Sequence, residues 1–221
     1  MSVIPFADLA RAAYCPRQCY YARREDDRSL PERARERIDL AFSYPTLRTA
    51  DDDDLAAAPV APSPATYRRR LDALAERDDW AALCAPAARE VVLTGRECRG
   101  RVHKVLDRPD GPVPVVVSPG EPPETGVWQP VGVRATAAAK ALSWERETQV
   151  DYAVVEFPAV GVIRDVDVTA RRRGAYRRAV RTVEALDGPP SRTSDRGKCE
   201  RCAYRTECGV KTRSLRSLLG L

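Results

Sequence analysis

Along the first part of the chain, apolar residues recur at helical spacing. Phe6, Leu9, Ala10, Ala13 and Tyr14 fall on one face, because residues three and four apart on a helix lie above one another. Pro16 suits the first turn of a second helix through Tyr20 and Tyr21, since its fixed φ is helical and a first turn leaves that N–H unpaired anyway. The pattern therefore predicts helix over 6–24, broken once, and helix again over 32–42. After a proline-rich break at 59–64, Tyr67, Leu71, Leu74 and Trp80 mark the inward face of an amphipathic helix over 66–83. The period then changes to that of strands, predicted at 90–93, 100–107 and 113–118, with a turn at Arg108-Pro109-Asp110-Gly111 joining the last two. A helix over 133–147, strands over 152–157 and 160–168, and a helix over 169–186 complete the order. This is an α/β pattern: a sheet flanked by helices with a helical N-terminal lobe (1–88), a core (89–190) and a C-terminal cysteine knuckle and tail (191–221).

Charge adds one feature. The 221 residues include 37 basic and 32 acidic ones, a net charge of +5, and among the basic ones only Lys104, Lys140, Lys198 and Lys211 are lysine. Arginine presents a fork that matches phosphate. Arg171, Arg172, Arg173, Arg177 and Arg178 crowd one predicted helix around Tyr176, and Arg68-Arg69-Arg70 begins another basic face. These are candidate DNA contacts. The run Asp51–Asp54 reads as a solvated loop or helix start. No apolar run reaches the length of a membrane span, and Met1–Pro5 lacks the basic and apolar regions of a signal peptide. A cytoplasmic protein is expected. In that compartment seven cysteines point to metal ligation before disulfides.

Three of those cysteines, Cys199, Cys202 and Cys208, form a compact ligand set that lacks a fourth thiolate. Candidates for the fourth are Cys15 and Cys19, within one helical turn of each other at the opposite end of the chain. Cys15 precedes a helix N-terminus, where the dipole favours a thiolate. Cys84 and Cys98 read as small core residues.

Cys15-Pro16-Arg17 with Tyr20-Tyr21, Gly100-Arg101-Val102, and Cys199, Cys202 and Cys208 together resemble the CRISPR-associated RecB-like exonuclease family of the PD-(D/E)xK nuclease superfamily. The resemblance covers most of the chain and is weakest over 42–88. It implies a PD-(D/E)xK restriction-endonuclease-like mixed sheet, with a [4Fe–4S] cluster held by Cys15, Cys199, Cys202 and Cys208 and joining the termini. It further implies DNA, single-stranded or at duplex ends, and Cas adaptation proteins as partners, in spacer acquisition or repair. Zinc in the same thiolates is the competing cofactor.

The resemblance also implies an Asp, a Glu and a Lys holding Mg²⁺ or Mn²⁺ and activating water, and this sequence departs from it there. The corresponding positions are His103, Val116 and Ser118, while Arg134 and Ala138 stand where a Gln and a Tyr would be expected. Valine offers no donor atom and serine no ammonium. The expectation is a catalytically inactive relative whose Mg²⁺/Mn²⁺ site is lost. One alternative is an active single-strand exonuclease with a site relocated to His103, Asp107, Glu121 or Glu124. Another is a zinc-stabilised interaction module.

Overall fold

Gly100, in the second long strand, is where the helices first meet the sheet. A Cβ there would sit 2.4 Å from the ring of Phe6, so only glycine lets the first helix lie this close to the strand's backbone. A computed structural model describes residues 3–25 and 29–209, and the predicted tail beyond Gly209 lies outside the described residues. The chain enters through a two-residue strand, β1 (Ile4–Pro5), which pairs in parallel with the start of β3 and runs directly into α1 (Phe6–Tyr14). After α2 (Pro16–Ala22) come five short helices: α3 (Glu32–Asp39), α4 (Tyr44–Thr49), α5 (Asp52–Ala57), α6 (Pro64–Ala75) and α7 (Trp80–Cys84).

The sheet is built from β2 (Ala88–Thr94), β3 (Cys98–Arg108), β4 (Gly111–Val117), β5 (Tyr152–Phe157) and β6 (Val162–Asp167), with β1 added at one end. Its order is β1-β3-β4-β5-β6, and β2 pairs with β3. All neighbours are antiparallel except β1 with β3 and β4 with β5. The parallel β4–β5 pair needs a crossover, which α8 (Gln129–Glu145) supplies. α9 (Ala170–Glu184) and α10 (Arg196–Glu200) follow. The predicted α/β sheet flanked by helices is present. No helix among the described residues is long and apolar enough to cross a membrane.

The described part of the predicted N-terminal lobe is shared between the two faces of the sheet. On one face α1 packs with α8 and α9, where Ala135, Ala137, Ala138, Ala139 and Ala141 are fully buried. Such small side chains let α8 lie close to both neighbours. On the other face Tyr44, Leu55, Tyr67, Leu71 and Leu83 cover Leu106, Val115, Val117 and Val154.

Across that second face runs a buried polar tie. Lys104 on β3 and Glu156 on β5 are both fully buried and flank β4, Lys104 opposite Val115 and Glu156 opposite Val117. The ammonium donates to the Ala41 carbonyl at 2.7 Å, the Leu83 carbonyl at 2.9 Å and Glu156 at 3.0 Å. Tyr44 adds a hydroxyl donor to Glu156 at 2.9 Å. All three ammonium protons are used, which is what makes a fully buried lysine tolerable.

One predicted element differs and one reading is narrowed. The helix expected over 66–83 is divided into α6 and α7. Arg77, in the break, donates to Asp79 at 2.8 Å and to Asp165 on β6 at 3.0 Å, while Arg108 pairs with the same Asp79. This long-range ion network outweighs the local helical period. The aspartate run is a helix start: Asp51 accepts from the Asp54 N–H at 2.8 Å, and acids in the first turn suit the dipole.

Candidate metal centre

Cys15 sits between two helices in extended backbone, φ −158° and ψ 116°, with Pro16 as the first residue of α2. The proline ends the run of α1 and leaves the thiol at the start of a new helix. At the other end of the chain, Asp195 caps α10 by accepting from the Lys198 N–H at 3.3 Å. Turns then follow: Cys202 N–H to Cys199 O at 3.2 Å, Arg205 N–H to Cys202 O at 3.2 Å, and Cys208 N–H to Tyr204 O at 2.9 Å. The structure brings Cys15, Cys199, Cys202 and Cys208 round one hollow with about 390 Å³ of empty space, part of it open to solvent.

Cys19, the other candidate, is fully buried, and its thiol donates to the Asp8 carbonyl at 3.4 Å inside the core. Cys98 is likewise buried and faces the Ala137 carbonyl at 3.7 Å. Sequence could not separate Cys15 from Cys19, because one helical turn covers both. The turn at Pro16 sends their side chains in different directions.

The two ends are fastened together around the hollow. Lys198 donates to the Tyr14 carbonyl at 3.1 Å and lies over the Tyr14 ring, 5.1 Å from its centroid. The Tyr21 and Tyr204 rings stack at 6.0 Å and 18°. The Tyr21 hydroxyl donates to Glu207 O at 3.2 Å, and Arg17 to Pro190 O at 2.8 Å. Gln18 points its amide at the Cys202 sulfur, 3.9 Å away. Desolvation, and after it the neighbouring Cys15, Cys208 and Cys202, push the Cys199 thiol up. A thiol ligates a metal as its thiolate, so a metal centre in the hollow would favour the deprotonated form that this environment disfavours at Cys199. Among the described residues, no three Cys, His, Asp or Glu side chains close round the space of a single metal ion.

The sheet positions are built differently. His103 is buried on β3, and its Nδ1 accepts the Val117 N–H at 2.9 Å. The β3–β4 ladder stops at Lys104 opposite Val115, so the imidazole takes over from a backbone carbonyl where the strands part. Val116 is buried in the apolar core. The Ser118 N–H continues the pairing with β5, donating to Glu156 O at 2.8 Å. On α8, Ala138 is fully buried and Arg134 reaches Arg101 O at 3.5 Å. Asp107, Glu121 and Glu124 are exposed.

Burial, followed by the charges of Arg134 and Lys104, lowers the His103 pKa from 6.5 to about 3. The unfolded chain then binds a proton that the folded protein refuses. His103's contribution is fully present above about pH 6.5 and is lost as pH falls from there toward 3, by up to about 1.4 kcal/mol per pH unit. His103→Gln keeps an acceptor for the Val117 N–H. In chemical denaturation it should flatten the loss of stability between about pH 6.5 and 4.5. Because His103 is the one histidine in the chain, an unchanged slope would assign the titration to a carboxylate.

The predicted basic faces differ in what their arginines contact. Arg68 pairs with Asp52 at 2.8 Å and Arg70 donates to Val160 O at 2.8 Å, so that run is largely spent on internal contacts. Tyr176 is buried with its hydroxyl on Glu97, away from any stacking role. Arg171, Arg172 and Arg178 line a groove between α9, β6 and the start of α8. Arg177 is exposed outside it, and Arg173 turns to the Val168 carbonyl. The Lys104–Glu156 tie escaped sequence reading, although a rare lysine and a single acid within an apolar strand were visible signals.

No family model matches the chain, and neither does any curated protein. A solved structure described as the crystal structure of SSO0001 is similar over 96% of this chain and 88% of that one, with 14% identity and a TM-score of 0.44. That likeness is too slight to carry chemistry from one chain to the other.

Proposed function

We propose that this chain is an iron–sulfur protein resembling the CRISPR-associated RecB-like exonucleases, with a PD-(D/E)xK-like core that has lost its hydrolytic residues. It works by recognising DNA or a Cas partner in spacer acquisition or repair. The observation that carries the reading is the convergence of Cys15, from one end of the chain, with Cys199, Cys202 and Cys208 on a single hollow. The residues fit the group in their chemistry: four soft thiolate donors suit a cubane cluster. The second support is that His103 spends its Nδ1 on a strand N–H and Val116 packs in the core, so neither offers a ligand to Mg²⁺, which favours oxygen.

Protein purified without oxygen should be brown and contain about four irons and four sulfides per chain. With Mg²⁺ or Mn²⁺ added it should leave single-stranded DNA intact. One zinc with no iron would overturn the cofactor. Metal-dependent cleavage that disappears in a His103→Ala, Asp107→Ala protein would overturn the loss of catalysis.

A further inference from the structure

The hollow shared by Cys15, Cys199, Cys202 and Cys208 is also lined by Arg17, Arg192, Lys198 and Arg205, and by no carboxylate. Like charges gathered round an open space repel one another and gain nothing from the gathering itself. Two of the four cations have local tasks. Arg192 donates to the Cys208 carbonyl at 2.6 Å, and Lys198 to the Tyr14 carbonyl at 3.1 Å. Arg17 is less fully used. Its terminal nitrogens donate to the Pro190 carbonyl at 2.8 Å and the Tyr21 hydroxyl at 3.4 Å. Among the described residues its Nε is buried without a hydrogen-bond partner, an arrangement that folding alone disfavours. Arg17 also stands near enough to Cys208 for charge to couple the two side chains. The next residue of α2, Gln18, points its amide at the Cys202 sulfur, 3.9 Å away. Consecutive residues of one helical turn thus address two different thiols of the set.

The effect of such donors on an iron–sulfur cluster follows from charge. Reduction adds an electron to an assembly that its thiolates already make anionic. Net charge, hydrogen bonds to the sulfurs and solvent exposure set the potential at which the electron is accepted. A guanidinium is permanently positive, so it favours the more negative, reduced form. An amide N–H directed at a ligand sulfur acts in the same direction, because it bonds more strongly to the more anionic acceptor. A cluster that only stapled the two ends together would need neither donor. Part of the hollow is open to solvent, so an electron donor can come close.

We infer that Arg17 and Gln18 are positioning residues for electron uptake, and that the centre is a one-electron acceptor as well as a clasp. One electron passes from a donor of the reduced-flavin class to the cluster. The donor is oxidised by one electron, the cluster is reduced by one, and no bond to the protein forms or breaks. The inference rests on the iron–sulfur reading and extends it from a structural role to a redox one.

The test uses the full chain, purified without oxygen, with dithionite as the electron donor. Loss of the brown colour and the electron paramagnetic resonance of the reduced cluster are followed at a series of fixed potentials. The wild type should be reduced reversibly. Arg17→Gln should shift the oxidised-to-reduced ratio about tenfold toward the oxidised form, about 59 mV for one electron, with its iron content unchanged. Arg17→Lys keeps the charge and should stay within about twofold of the wild type. Gln18→Leu should shift the ratio about threefold toward the oxidised form, and it decides alone if Arg17→Gln loses its iron. Arg24 is exposed, just past the end of α2, and does not line the hollow. Screened by water, its loss in Arg24→Gln should move the ratio less than about twofold. An iron-loaded wild type that dithionite cannot reduce would overturn the inference. So would iron-loaded Arg17→Gln and Gln18→Leu proteins at the wild-type potential, or an equal shift in Arg24→Gln. Each of these leaves the iron–sulfur assignment standing, whereas a chain that carries no iron overturns both.

Discussion

A Cys199→Ser protein, made and purified without oxygen, is expected to lose nearly all of its iron and the closure between the two ends of the chain. A serine hydroxyl is a poor substitute for a soft thiolate ligand. Binding energy at a ligand set that the unfolded chain lacks is also folding energy for the segment it holds. That segment has little else: no residue from Glu184 to Gly209 is buried, so it has no apolar core of its own. Hydrogen exchange over 196–209 should rise to nearly unprotected rates, and trypsin should cut at Arg196, Arg201 and Arg205. The sheet and its two apolar cores should stay protected, because none of their side chains comes from the knuckle. Cys15→Ser should reproduce the result, and Cys19→Ser should keep its iron. The reverse outcome, with iron lost through Cys19 and kept through Cys15, would refute the ligand assignment.

Lys104→Met is the second large effect. Methionine fills much the same volume but leaves the Glu156 carboxylate buried with Tyr44 as its remaining donor and strands the Ala41 and Leu83 carbonyls. Breaking a buried pair from one side costs about 3–5 kcal/mol. For a chain of this size that is a fall in Tm of roughly 6–20 °C. Desolvation already pushes the Glu156 carboxyl up, against the pull of Lys104, so without the lysine the group should take up a proton before it tolerates the charge. Replacing both members, Lys104→Met with Glu156→Leu, should recover a good part of the loss, since an apolar pair carries no desolvation cost. Thermal denaturation of the two single variants and the double variant gives the coupling. A loss below about 1 kcal/mol for Lys104→Met alone would show that water reaches the pair.

Much of this was legible in the sequence where the signal is local. The apolar run at 152–157, the helical period after Thr169 and the spacing of Cys199, Cys202 and Cys208 each reflect a rule that acts over a few residues. β1 was not legible, because two residues show no period and its partner Cys98 is distant in the chain. α4 and α5, of six residues each, are too short for helical spacing to emerge. The break between α6 and α7 depends on Asp165, far along the chain, and the role of His103 depends on where a strand ladder stops. Alternation of polar and apolar residues marks Lys104 and Glu156 only as polar, and only the sheet register shows that they meet across β4.

The pairing of Tyr14 with Lys198 and of Tyr21 with Tyr204 closes a loop of more than 180 residues. Contacts between segments so far apart carry a high loop-closure cost. The sheet lies between them in sequence, so every strand that pairs shortens the free chain the loop must close. A cluster of the proposed kind would be held only where both segments have met, and its colour would then count the molecules in which that loop is shut.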